Sequence, residues 1–199
     1  MTRWLRIIAL CLFCLAVGLP VWGQPPEGWD RHLDGYRGPY RGQVVDADTK
    51  APLEGAVVVV YWSRDRIYPM HSVNEPYAVR ETVTDSDGRF ELSARDVEEK
   101  APRRTRRPEF RIFTPGYGAF PWYQRTPSGF IGGVFEKSGT TVELPRLESR
   151  KERVESLDRV EPHRFSERPF RELPRLTQAF NEERVALGFE PLPDPEKRQ

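Results

Sequence analysis

RGQVVDADTKAPLEGAVVVVYW (residues 41–62), followed after a polar gap by ETVTDSDGRFEL (residues 81–92), is the part of the chain that decides its fold. Two short apolar runs are separated by Asp, Thr, Lys and Pro, the residues of turns, and a tight Asp-Gly turn comes after them. Short β-branched runs so punctuated predict a small all-β sandwich. Residues 55–63 carry the strongest strand. Val57, Val59 and Tyr61 point to one side and Val58, Val60 and Trp62 to the other, so neither face suits water. A strand buried on both sides lies centrally in its sheet, and some other part of the chain must cover its second face.

Working outward, the pattern predicts strands at residues 40–46, 55–63, 78–84, 89–93, 109–114 and 139–145, with an extra short one at 130–136. The fold class is therefore mainly β, an antiparallel β-sandwich of about six or seven strands. Asp85-Ser86-Asp87-Gly88 reads as a hairpin turn in which Gly88 takes φ > 0, and Phe90 and Leu92 alternate with polar neighbours after it. Residues 64–77 read as a long polar loop and residues 94–108 as a charged connection containing Arg103-Arg104-Thr105-Arg106-Arg107, a solvated loop by default. If strands alternate up and down, connections 46–54, 85–88 and 115–138 share one end of the sandwich, and 64–77 and 94–108 the other.

Both flanks differ in character from this core. Residues 1–23 combine Arg3 and Arg6, an apolar run and Val21-Trp22-Gly23, which predicts a signal peptide cleaved between Gly23 and Gln24. An uncleaved anchor is the competing reading, although the apolar run is short of the ~18 residues of a membrane helix. Cys11 and Cys14 both fall inside this segment, and neither follows the small residue a lipoprotein signal requires. The mature chain would then have no cysteine and no transmembrane segment, as suits export to a bacterial periplasm or cell surface. Residues 24–39 are Pro, Gly and charge rich and form a linker or arm. Residues 146–199 hold 12 basic and 12 acidic residues with apolar positions at helical intervals. Leu147, Val154, Leu157 and Val160 mark a short helix ended by Pro162. Leu173, Leu176, Phe180 and Leu187 mark another, with Pro174 early and Gly188 at its C-terminal cap. Helices this short are marginal alone, so this C-terminal helical extension needs a surface, and the uncovered face of the central sheet offers one.

The residues also carry a resemblance. Gly42-Gln43-Val44-Val45-Asp46, the Asp48-Thr49 turn, Pro52-Leu53-Glu54-Gly55-Ala56-Val57-Val58-Val59 and Thr84-Asp85-Ser86-Asp87-Gly88-Arg89-Phe90 resemble the carboxypeptidase regulatory-like domain, with Phe113-Thr114-Pro115-Gly116-Tyr117 matching a later strand-to-turn step. The match spans residues 40–145. It implies a transthyretin-like, Ig-like β-sandwich acting as a non-catalytic accessory module of exported proteins, here without a peptidase or a barrel beside it.

Residues suited to chemistry are few. The acidic pairs Asp46/Asp48 and Asp85/Asp87 suggest calcium, but an EF-hand loop begun at Asp85 would need a ligand and a glycine where Arg89 and Phe90 stand. They read better as turn formers, so neither a metal nor a cofactor is expected. His32, His71 and His163 lie in separate segments without ligand spacing, and Ser128 is not in a nucleophile elbow, so a hydrolase is the least favoured reading and no enzyme is expected. With Arg3 and Arg6 removed, 29 basic residues face 30 acidic ones, and no nucleic-acid partner is expected. Tyr117, Phe120, Trp122, Tyr123, Phe130 and Phe135 crowd into one long connection. Two roles suit them: packing under the tail or plugging the sandwich end, or an exposed contact for a ligand or partner through Tyr117, Phe120, Trp122, Tyr123 and Phe130. The leading expectation is a non-catalytic module mediating protein interaction or structural support in the bacterial envelope. The alternative is carbohydrate binding through the 115–138 loop.

Overall fold

The valine run lies where its two-sided apolarity requires, in the interior of a five-stranded sheet. A computed structural model describes residues 38–102, 105–123, 130–131, 134–135 and 139–194, with the side chains of residues 130–131, 134–135 and 169–170 left aside. All belong to one unit, Arg31–Gln199. The expected signal segment with its Gly23/Gln24 cleavage site, most of the 24–39 arm, His32, Arg103, Arg104, Ser128 and the Phe130 and Phe135 rings fall outside this description.

The strands are β1 (Tyr40–Asp46), β2 (Val57–Tyr68), β3 (His71–Val83), β4 (Arg89–Leu92), β5 (Glu109–Phe113), β6 (Phe130–Ile131), β7 (Val134–Phe135) and β8 (Thr140–Leu144). They form two sheets, β4-β1-β8 and β3-β2-β5-β7-β6. The protein is mainly β. Helices are short: α1 (Arg95–Glu98), α2 (Arg150–Arg159), a 3-10 turn (Pro162–Arg164), α3 (Pro169–Glu172) and α4 (Pro174–Ala186).

The side-chain parity of β2 splits between two apolar clusters. Val58, Val60 and Trp62 pack with Tyr40, Val44, Phe90, Phe110, Ile112, Val142 and Leu144, so the two sheets face each other across one core. Val57 and Val59 point the other way and pack with Leu157, Val160, Leu173, Leu176 and Phe180. The C-terminal helices thus cover the outer face of the larger sheet, which answers the demand posed by residues 55–63. Their ends are set by local sequence. The Ser149 hydroxyl accepts the Glu152 N–H at 3.2 Å and donates to its carboxylate at 2.6 Å. Pro174 opens α4, and Gly188 takes φ 80° after it.

Two carboxylates tie this cover down, and neither role is visible in helical periodicity. The Glu81 carboxylate on β3 accepts the N–H groups of Arg175 and Leu176 at 2.8 and 3.0 Å, capping α4 from the sheet where α4 has no side-chain cap of its own. Glu183 on α4, only 2% exposed, accepts Arg153 Nε and Nη2 of α2, both at 2.7 Å, and the Gly116 N–H at 3.0 Å.

Several expectations are corrected. Residues 64–77 are not a loop: β2 and β3 continue as a two-stranded ribbon as far as Tyr68 and His71. It is held by cross-strand polar pairs in place of an apolar face, including Arg64–Glu75 and Arg66–Glu75 and a Tyr68–His71 ring stack at 5.0 Å. The Asp85–Gly88 turn is tight, with the Asp85 N–H bonded to Arg89 O at 2.8 Å, yet it joins no hairpin. β3 belongs to one sheet, and β4 pairs with β1 in the other. Gly88 (φ 70°) is required there twice over, since a Cβ would come within 2.4 Å of Val44 O. The sandwich pattern also predicted antiparallel pairing throughout, whereas β8 runs parallel to β1. That pairing is possible because the whole of the larger sheet intervenes as the crossover. Residues 94–108 are less open than expected: they include α1, and Thr105 is buried and bridges Arg64, with the Arg106 N–H on Ser63 O at 2.7 Å.

Candidate functional site

The aromatic segment begins as β5 ends and folds back under the helices. Phe120 returns to the sheet, its N–H bonding Ile112 O at 3.0 Å. Its ring is wholly buried in the core between the sheets, which corrects its assignment to an exposed contact. Tyr117 is half-buried and faces the first acidic turn, donating its hydroxyl to Asp46 Oδ2 at 3.0 Å and accepting Arg146 Nη2 at 3.2 Å. The turn then tightens. Gly118 allows the Tyr123 side chain to lie against the backbone, where a Cβ would be 2.3 Å from the Tyr123 Cβ. The Ala119 N–H finds Ser156 Oγ of α2 at 2.9 Å.

Trp122 is what this turn presents. It is 42% exposed, and two guanidinium groups lie against its ring, Arg111 at 4.7 Å and Arg159 at 5.6 Å. Arg111 comes from β5 on the outer face of the sheet. Its Nη2 donates to the Tyr61 hydroxyl at 2.6 Å and to Glu109 Oε2 at 3.0 Å, and the Tyr61 hydroxyl donates to the same carboxylate oxygen at 2.6 Å. Burial, and then the adjoining Glu109 carboxylate, push the Tyr61 hydroxyl far above its ordinary range. Arg111 Nε is buried and has no hydrogen-bond partner among the described residues. Beside Trp122 an open hollow of about 440 Å³ is lined by Tyr123, Pro145, Arg146, Glu148 and Glu152. Burial, and next the Glu155 charge, raise the Tyr123 hydroxyl.

Of the proposed contact residues, then, Trp122 and Tyr123 share a surface hollow, Tyr117 is spent on Asp46, Phe120 is in the core, and the Phe130 ring lies outside the described residues. Arg111, Arg159 and Tyr61 were not anticipated. The signal was present in EFRIF (residues 109–113), where Glu109 and Arg111 occupy the alternate positions that share a face with Phe113.

The acidic turns are structural. Asp46 Oδ1 accepts the N–H groups of Asp48 and Thr49 at 2.9 and 2.8 Å, and Asp85 Oδ1 those of Asp87 and Arg89 at 3.0 and 2.8 Å. The backbone N–H of Thr49, against a smaller burial penalty, lowers the Asp46 carboxyl to about 2. Among the described residues no group of three or more His, Cys, Asp or Glu could hold a metal ion, and no helix is long and apolar enough to cross a membrane. His71 starts β3 against Tyr68, and His163 lies on the 3-10 turn, both exposed.

No known family and no curated protein matches the chain. A solved structure that aligns with it is a 9R-lipoxygenase from Cyanothece PCC8801, at 20% identity and a TM-score of 0.25, covering 54% of this chain and 16% of that one. At that score the likeness carries no argument about fold or activity.

Proposed function

We propose that the chain is an exported, non-catalytic accessory module of the carboxypeptidase regulatory-like kind, a transthyretin-like β-sandwich that mediates protein interaction or structural support in a bacterial envelope. The observation that carries this reading is the use made of the buried charged groups. Asp46 holds a turn, Glu98 pairs with the Tyr40 hydroxyl, Glu183 locks two helices, and Arg111 braces Tyr61 and Glu109. Each does mechanical work inside the fold, and Trp122 stands exposed beside Arg111. A photo-crosslinking residue placed at Trp122 in producing cells, with Glu143 on the other sheet as control, tests it. A discrete adduct to one envelope protein, specific to position 122, is the expected result. No adduct there, or a chain retained in the cytoplasm with Met1 intact, overturns the reading.

Carbohydrate binding is the second reading, favoured by the exposure of Trp122 next to a hollow bearing Glu148 and Glu152. A sugar would have to share the ring with Arg111 and Arg159. Titration with envelope polysaccharides, monitored by tryptophan fluorescence against a Trp122→Phe control, decides it. A quench lost in the variant supports the reading, and an unchanged spectrum removes it.

A further inference from the structure

The β2–β3 ribbon outruns its sheet. Beyond Ser63 and Pro76, among the described residues, it pairs only with itself and, at Arg64, with Thr105. Its end is the most apolar exposed part of the described chain: Met70 is 93% exposed and Ile67 58%, with Tyr68 and Val73 also open. In the register, Tyr68 stands opposite His71 and Arg66 opposite Val73, while Ile67 stands opposite Ser72. Alternation therefore puts Tyr68 and Val73 on one face and Ile67 on the other, with Met70 at the turn. A flat protein surface could bury only one of these faces. A medium that surrounds the tip buries both.

Below the tip the chemistry changes to cationic. Arg64, Arg66 and Arg106 stand against two carboxylates: Arg64 and Arg66 share Glu75, and Arg106 is paired to Asp65. Three arginines against two acids leave a positive collar. Its near edge, Arg66, is three residues of strand from the turn, about 10 Å, and Arg64 lies about 7 Å further back. The nearer distance matches the ~5–10 Å to which an apolar face settles at a bilayer's headgroup boundary, where basic groups then meet anionic headgroups. Pairing with another strand is disfavoured by the edges themselves. Pro76 on β3, the register shift at Trp62/Ser63 and the charged Arg64, Asp65 and Arg66 are devices that protect a sheet edge.

We infer that the tip of the β2–β3 ribbon, Ile67 to Val73, inserts end-on into the headgroup layer of an anionic lipid bilayer, with the arginine collar on the phosphates. The inference stands on the ribbon alone and holds or fails separately from the role of Trp122.

The test uses the chain from Gln24 onward, since both apolar clusters lie within the unit Arg31–Gln199. It is sedimented with vesicles of phosphatidylcholine alone and of phosphatidylcholine with phosphatidylglycerol. Binding is expected to the anionic vesicles, to weaken with salt, and to fall at least about tenfold in the double variant Ile67→Asp, Met70→Asp. Both residues are exposed, so an unchanged urea midpoint will show that the variant is folded. A fluorophore on Met70→Cys should shift to the blue with anionic vesicles, while one on Gln43→Cys should not. No binding to anionic vesicles, binding indifferent to the tip variant, or a concentration-dependent dimer that the tip variant abolishes would each overturn the inference, the last by assigning the tip to a second copy of the chain.

Discussion

Replacing Glu183 by leucine removes a carboxylate that joins α2, α4 and the turn at Gly116. Its two oxygens take three donors, Arg153 Nε and Nη2 at 2.7 Å and the Gly116 N–H at 3.0 Å, in a position 2% exposed. The Glu183 carboxylate in turn holds the Arg153 guanidinium more firmly in its charged form. The variant leaves a partly buried guanidinium and a partly buried amide without their acceptor. Breaking one side of a fully buried pair costs about 3–5 kcal/mol, and the partial exposure of Arg153 puts the loss at the low end, about 3 kcal/mol. At ~2–4 °C per kcal/mol for a chain of this size, the melting temperature should fall by about 10 °C. The assay is urea denaturation of wild type, Glu183→Leu, Arg153→Met and the double variant. The double variant should recover most of the loss, because with both partners apolar no charge is stranded. Additive single effects, or a Glu183→Leu loss below about 1 kcal/mol, would refute the view that this pair fastens the helical cover to the sheet.

Asp46→Asn should lose about 2 kcal/mol at neutral pH, the equivalent of a carboxyl lowered from 3.8 to about 2. Because the folded pKa is depressed, the contribution is complete above about pH 4 and lost as pH falls toward 2, so wild-type and variant urea midpoints should converge across that window. Glu81→Ala should cost about 1–2 kcal/mol by uncapping α4, read as faster amide exchange at Arg175 and Leu176; unchanged exchange there would contradict the cap. Gly118→Ala should destabilise by about 1–3 kcal/mol, because its Cβ meets the Tyr123 Cβ and not a flexible chain end; near-UV circular dichroism should report the displaced tyrosine, and a neutral substitution would refute the close approach.

Much of the fold was legible because it rests on side-chain period. The alternation of residues 57–62 assigned each side chain to its cluster, and the spacing of Leu173, Leu176 and Phe180 marked a helix in need of a surface. What failed was the reading of polar stretches. RDRIYPMHSVNEP (residues 64–76) has a loop's composition, and cross-strand pairing, Arg64 and Arg66 with Glu75 and Tyr68 with His71, makes it a ribbon. The site was legible in part: Trp122 and Tyr123 are where an aromatic loop suggests, but Phe120 and Tyr117 are claimed by the core and by Asp46.

The sequence by itself determined the strands with apolar alternation, the capped helices and the Asp-rich turns, since these depend on residues within a few positions of one another. The tertiary structure alone decided which sheet each strand joins. An Asp-Gly turn has the same local geometry whether it closes a hairpin or carries the chain from β3 to β4 across the core. It also decided the partners of Glu81, Glu183 and Arg111, because each satisfies a buried donor or carboxylate brought to it by a segment distant in the chain or, for Arg111, by the neighbouring strand.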